Sequence, residues 1–321
     1  MERQISGWIY RYDSAKNKFE VIPDIKIQKT KTLFKYFSMK DHHIDNLIHM
    51  YLWAAHPDSF NDLYDCYNNV LNFHPEFMIS YMSNFQTLEV VKTNYAKNSK
   101  GFTDGFKHFF RADIFRRFGL VSFSESLSNI LLWSYYNENK GFAIEFDYSF
   151  FPDNFHGPFF MNYSSDYSNE LLIRSEEEVQ LMLLYMSTIK NQQWKHEKEW
   201  RIIVESPKDK IMFAPKIQQL KELGGHDRKF DYPFEAIKSV ALANYFFEIE
   251  EIYWPNNKIL NIALLENIDK KRTILNFLVE REIRTTIITR ETKNGNTFEM
   301  NFREGYLKKT GTDKYIFNAI D

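Results

Sequence analysis

The chain has 321 residues, 41 basic against 43 acidic side chains, 17% aromatics, 11 glycines, 9 prolines and one cysteine. So few glycines and prolines beside so many rings exclude collagen-like and low-complexity chains, and the solitary Cys66 excludes a disulfide framework or a cysteine-built metal site. The net charge of -2 supplies no global field of the kind that draws a protein to nucleic acid or membrane.

The sequence opens without a basic region leading into an apolar run, and no window approaches about 18 consecutive apolar residues. A cytoplasmic protein with no membrane partner is expected, and unpaired Cys66 suits a reducing compartment. Residues 8–12 and 18–22 are β-prone runs around a polar DSAKN turn, which predicts a hairpin. Residues 33–37 read as a strand, 42–49 as a helix and 51–54 as extended chain. HPDSFNDLYDCY follows, rich in turn formers and carboxylates. Residues 72–118 read as mostly helical and dense in Phe.

From Gly119 the pattern alternates. GLVSFSE predicts a strand with Leu120, Ser122 and Ser124 on one face. Ser126 or Ser128 is expected to cap a helix over NILLWSYYNEN, and GFAIEFD predicts a strand with Phe142, Ile144 and Phe146 facing one way. PFFMNYSS reads as a further strand. Ser175 with Glu178 predicts a capping box opening a helix over residues 176–190. Strands are expected at the end of NQQWKHEKEWRIIVES and in VALANYF and NKILNIALL. Residues 266–284 read as an amphipathic helix. A hairpin is expected over 285–303, with Asn294-Gly295 as a type I′ turn. The fold class is α+β, a mixed or antiparallel sheet with helical insertions. A main domain is expected over 1–255, with 256–321 a helix-hairpin extension packed on it.

The segment with most chemical content is Trp194-Lys195-His196-Glu197-Lys198-Glu199-Trp200-Arg201. On a strand, Glu197, Glu199 and Arg201 share one face. Two carboxylates and a guanidinium in one column would split the carboxylate pKa values if partly buried. Such a column also occurs as a solvated strand face or a structural ion-pair network. Ser122 and Ser124 on the earlier strand could orient a carboxylate or ligand through their hydroxyls. Tyr135 or Tyr136 on the following helix could stack on a planar ring. The rings inside these polar blocks are Tyr36, Trp133, Tyr135, Tyr136, Trp194 and Trp200, and they are where a planar ligand is expected. Asn61, Asp62 and Asp65 could bind a ligand, but Asx residues in loops more often bond their own backbone. No dinucleotide-binding, P-loop, nucleophile-elbow or zinc-protease motif is present, and the nine histidines form no ligand spacing.

Four blocks in order, LFKYFS, PDSFNDLYDC, VSFSE with LLWSYYNENKGFAIEFD, and WKHEKEWRII, resemble a bacterial domain of unknown function, number 2971, over about residues 33–250. Members of that family tend to show a KY strand, an FNDPFDC turn, an FS…MWSHYA…KGF block and a W-x-x-E-x-EWR strand. His56 stands where serine is common, Leu63 where proline is, and Tyr135 where histidine is. The order of basic residue, Ser-x-Ser and Glu-x-Glu is also similar, more distantly, to the pattern of ADP-ribosyltransferases.

That resemblance implies an enzyme that takes NAD as substrate, with no metal. Glu199 would be the catalytic carboxylate and Glu197 the second of the pair. Lys35, Tyr36, Ser122, Ser124, Trp133, Tyr136 and Arg201 would bind the dinucleotide. It implies a cytosolic bacterial effector, in phage defence or as a toxin, that acts on a protein or nucleic-acid target beside a phage or immunity partner. Two other functions stay open. One is a non-enzymatic ligand sensor. The other is a metal-dependent nuclease using Asp62, Asp65, Glu145 or Asp147 with the Glu-x-Glu strand.

Overall fold

The computed structural model describes residues 1–321 apart from 29, 63, 68–69, 168–170, 208–211, 213–227, 290–299 and 321. The chain begins with a three-stranded antiparallel sheet, β1 (Glu2–Ile5), β2 (Trp8–Asp13) and β3 (Lys18–Ile22). The expected hairpin is β2–β3, and β1 pairs with its other edge. Alternation turns Trp8, Tyr10 and Phe19 inward.

β4 (Thr32–Phe37), α1 (Asp41–Ile48), β5 (Tyr51–Trp53) and β6 (Asn72–Phe73) come next. The helical stretch is α2 (Pro75–Met82), α3 (Leu88–Lys97) and α4 (Ser99–Ile114). Its phenylalanines pack on one another: the ring centroids of Phe73 lie 4.9 Å from Phe106 and 4.8 Å from Phe110.

β7 (Phe118–Ser124), α5 (Ile130–Asn137) and β8 (Phe142–Asp147) form the serine-bearing block. β9 (Phe155–Phe160), β10 (Asn162–Ser164), β11 (Leu172–Ile173), α6 (Glu176–Thr188) and β12 (Ile189–Asn191) lead to β13 (Glu199–Glu205). The remaining elements are β14 (Lys229–Asp231), β15 (Ile237–Leu242), β16 (Ile252–Asn256), β17 (Ile259–Ala263), α7 (Ile268–Glu280), β18 (Thr285–Thr289), β19 (Asn301–Gly311) and β20 (Lys314–Ala319).

The fold is α+β. Eleven strands form one mixed sheet in the order β16-β17-β20-β19-β18-β15-β8-β4-β7-β13-β9. β15 and β18 run parallel, and the other neighbours in this sheet run antiparallel. Residue 256 ends β16, and Asn256 pairs with Ile259 of β17, so the strands beyond it continue the same sheet. β18 and β19 pair as the expected tail hairpin does, while Asn294-Gly295 lies outside the described residues.

The sheet is covered on both faces. Along β13, Trp200, Ile202 and Val204 enter a core shared with β8, β15 and α7. Ile203, together with Phe118 and Leu120 of β7, enters a second core under α4 and α6. Glu199 and Arg201 lie on the same face as Ile203, so the polar column is one end of a strand face whose other end is packed apolar core.

Two expected caps differ. Asn129, not Ser126 or Ser128, caps α5, its side chain accepting from Leu131 N–H at 3.0 Å. α6 starts after Ser175 without a capping box, because the Glu178 carboxylate accepts from Arg174 N–H at 2.6 Å instead.

Candidate functional site

β4, β7 and β13 are contiguous strands, so side chains projecting from one face at their ends meet. Glu199 pairs with Ser124 and Arg201 with Ser122 across β13–β7, and Phe34 of β4 pairs with Ser124 from the other side. A cavity of about 720 Å³ opens there. Eight of the nine expected site residues line it: Lys35, Tyr36, Ser122, Ser124, Tyr136, Glu197, Glu199 and Arg201.

Glu197 is not on the strand, as the sequence spacing suggested. It ends a 3-10 turn over Gln192–Glu197, and Lys198 takes a left-handed φ of 46° before β13 begins at Glu199. The turn is held in two places. Ser124 donates its hydroxyl to the Glu197 carbonyl at 2.7 Å, and Asn129 donates to the His196 carbonyl at 2.5 Å. The two carboxylates still converge, because one ammonium lies between them. Lys190 of β12 donates to Glu197 at 2.6 Å and to Glu199 at 2.7 Å.

Arg201 gives two N–H groups to one Glu199 oxygen, at 3.0 and 2.8 Å, and a bidentate pair to Asp65 at 2.8 and 2.9 Å. A further bond to the Ser187 carbonyl at 2.9 Å completes the fork. All five ionised groups are buried. Burial by itself would raise the Glu199 carboxyl. The Arg201 and Lys190 charges, with hydrogen bonds from Lys190 and Ser122, outweigh it and hold the carboxyl down to about 2.

The two glutamates are used differently. Glu199 has both oxygens occupied and its backbone N–H given to the Tyr163 hydroxyl at 2.7 Å. Among the described residues Glu197 accepts once at each oxygen, from the Tyr136 hydroxyl at 2.7 Å and from Lys190. Each Glu197 oxygen therefore keeps a lone pair for a ligand. Burial, then the Glu197 charge, pushes the Tyr136 phenol up, so that hydroxyl stays a donor. Three carboxylates meet two cations in this network, leaving one net negative charge. The next cation is Lys35, whose ammonium donates to the Ser122 carbonyl at 3.1 Å. Burial lowers its pKa to about 8 against the opposing pull of Glu199.

Several expectations are corrected. Trp133 does not line the cavity. It is fully buried among Ala143, Ala241, Ala243 and Ile288, with its indole N–H on the Leu127 carbonyl at 2.7 Å. Tyr135 is 63% exposed and points away, since adjacent residues on a helix lie about 100° apart. Trp200 alternates to the opposite face of β13, where Glu125 accepts its indole N–H at 3.1 Å. Trp194 instead lies against the Lys190 ammonium, 5.2 Å from its ring centre. Arg201 is saturated by protein groups and holds carboxylates rather than facing the cavity with free donors. Of the six rings singled out, Tyr36 and Tyr136 line the cavity, joined by Tyr51, Trp53 and Phe60.

Asp65 belongs to this network, beyond the loop ordering expected of it. Asn61 bonds Tyr136, while Asp62 accepts from Tyr64 N–H at 2.9 Å. Glu145 accepts from Ser239 at 2.6 Å and Asp147 caps a 3-10 turn, and neither lines the cavity. Among the described residues no group of three or more His, Cys, Asp and Glu is placed to hold a metal ion.

Lys190 and His43 are among the lining residues that the sequence did not mark. Lys190 reads as the end of a helix, and only the break after Thr188 turns it into the site. His43, on α1, accepts from the Ser38 N–H and hydroxyl, and burial, aided by neighbouring cations, lowers it to about 4. No helix among the described residues is long and apolar enough to cross a membrane. No family model, curated protein or solved structure matches the chain.

Proposed function

We propose that the cavity is the active site of an NAD-consuming glycosyl-transfer enzyme of ADP-ribosyltransferase type. The observation that carries this is the convergence of Lys35, Ser122, Tyr136, Glu197 and Glu199 on one cavity of about 720 Å³. All four sequence blocks that carried the family resemblance contribute to it, although they lie far apart in the chain. The volume suits a small-molecule site, about 300–1,000 Å³.

Cleaving a ribosyl–nicotinamide bond develops positive charge at the ring carbon. A fixed anion nearby stabilises that charge without reorganising. The network's net negative charge supplies the field, Glu199 stays ionised, and Glu197 has lone pairs for a ribose hydroxyl. Tyr36, Tyr51, Trp53 and Tyr136 offer rings to a planar base, and Lys35 offers a cation to a diphosphate. Transfer to a protein or nucleic-acid acceptor, a cytosolic setting and a role in phage defence or as a toxin belong to the same proposal.

The test is NAD turnover and ADP-ribose transfer by the wild type and by Glu197→Gln and Glu199→Gln, with thermal melts in the presence of NAD. A rise in Tm with NAD and turnover lost in the variants support the proposal. No turnover with any acceptor, together with no shift in Tm, refutes it.

A second reading has one specific observation in its favour: Arg201 and Lys190 already compensate Asp65 and Glu199, as a purely structural network would. On that reading the cavity binds a ligand without turning it over. The expected result is an NAD-induced Tm shift without loss of NAD.

A further inference from the structure

Lys35 is set apart from Lys190 and Arg201, the two cations of the carboxylate network. Lys190 and Arg201 are bound to carboxylates. Among the described residues Lys35 forms no ion pair, and its one hydrogen bond goes to a neutral carbonyl, that of Ser122, at 3.1 Å. The ammonium lies 5.9 Å and 5.7 Å from the centres of the Phe37 and Phe123 rings, so two aromatic rings flank it. β4 is a central strand of the sheet, which fixes the stem of the side chain. A lysine without a carboxylate partner, held in a partly dehydrated cavity, is the arrangement that makes an amine nucleophilic near neutral pH.

We propose that Lys35 is a nucleophilic amine that captures an aldehyde or ketone entering the cavity as an imine. The Ser122 carbonyl holds one N–H and leaves the lone pair of the neutral amine for the cavity. That lone pair attacks the carbonyl carbon, and a proton moves from nitrogen to the former carbonyl oxygen. Water then leaves as the carbon–nitrogen double bond forms, so no oxidant or reductant is consumed. Burial, which lowers the amine to about pKa 8 against the pull of Glu199, makes the neutral form available. His43, lowered to about 4, adds no competing positive charge at neutral pH. This chemistry goes beyond NAD cleavage and does not depend on it.

The experiment treats the full-length wild type with acetaldehyde and cyanoborohydride at about pH 7.5, with each lysine followed by peptide mass spectrometry. The internal reference is Lys16, whose side chain is 76% exposed. Alkylation of Lys35 is expected to run about tenfold faster than that of Lys16 or more, because a far larger fraction of the buried amine is neutral. Lys35 alkylated no faster than Lys16 overturns the proposal. The comparison is made within one folded molecule, so no variant has to fold. A protein that never turns over NAD leaves the result intact.

Discussion

Arg201 and Asp65 are 136 residues apart in the chain and meet as a bidentate pair with nitrogen–oxygen distances of 2.8 and 2.9 Å. The pair ties the polar loop after β5 to strand β13. The same guanidinium holds Glu199. One side chain thus links a loop to the candidate catalytic carboxylate.

Removing one member of such a pair leaves buried charge uncompensated. Arg201→Met is expected to destabilise the fold by about 3–5 kcal/mol, since Asp65 and Glu199 would lose their cation. Urea unfolding measures this, and a loss under about 1 kcal/mol would mean that the network contributes little.

The two glutamates are expected to separate by experiment. Glu197→Gln keeps the Lys190–Glu199 contact and should leave Tm close to wild type while lowering kcat/KM for NAD about 100-fold or more. Glu199→Gln should lower both, because it also deprives Arg201 of one of its two carboxylate partners. Equal effects on stability would argue that the two positions share one structural role.

Acid lability follows from the pKa directions. Glu199 is held down to about 2 from an ordinary 4.5, so its contribution is complete above about 4.5 and is lost as pH falls towards 2. His43, lowered to about 4 from 6.5, binds its proton more readily in the unfolded chain. Stability should therefore also decline as pH falls from about 6.5 to 4. Glu199→Gln should flatten the lower window and His43→Gln the upper one. Unfolding free energy measured against pH in each variant checks the assignment.

Gly141 sets the spacing between α5 and β4. A Cβ there would lie 2.0 Å from the Phe37 carbonyl oxygen and 2.8 Å from the Asn137 Cβ. Gly141→Ala is expected to cost about 2–4 kcal/mol by forcing the strand and helix apart. It should also weaken ligand binding by moving Tyr136 relative to Lys35. A stable variant with unchanged NAD-dependent melting would count against this coupling.

Local pattern alone determined much of this protein. Alternation in GLVSFSE and GFAIEFD placed β7 and β8 and put Ser122 and Ser124 on one face, because side-chain direction in a strand depends only on its period of two. The α+β class and the Phe-rich helices were legible for the same reason. The tertiary structure decided what those faces meet. Glu197 and Glu199 are brought together by a turn, a left-handed Lys198 and the ammonium of Lys190 rather than by strand periodicity. Trp133 and Trp200 look identical in sequence to ring-binding residues, yet packing buries one and strand alternation turns the other away. Asp65 became a site residue only through a contact 136 residues along the chain, and Lys190 only because the helix breaks after Thr188 and the chain turns back on itself. Whether a buried charge faces a ligand or a counter-ion is set by those non-local partners, and no local pattern encodes them.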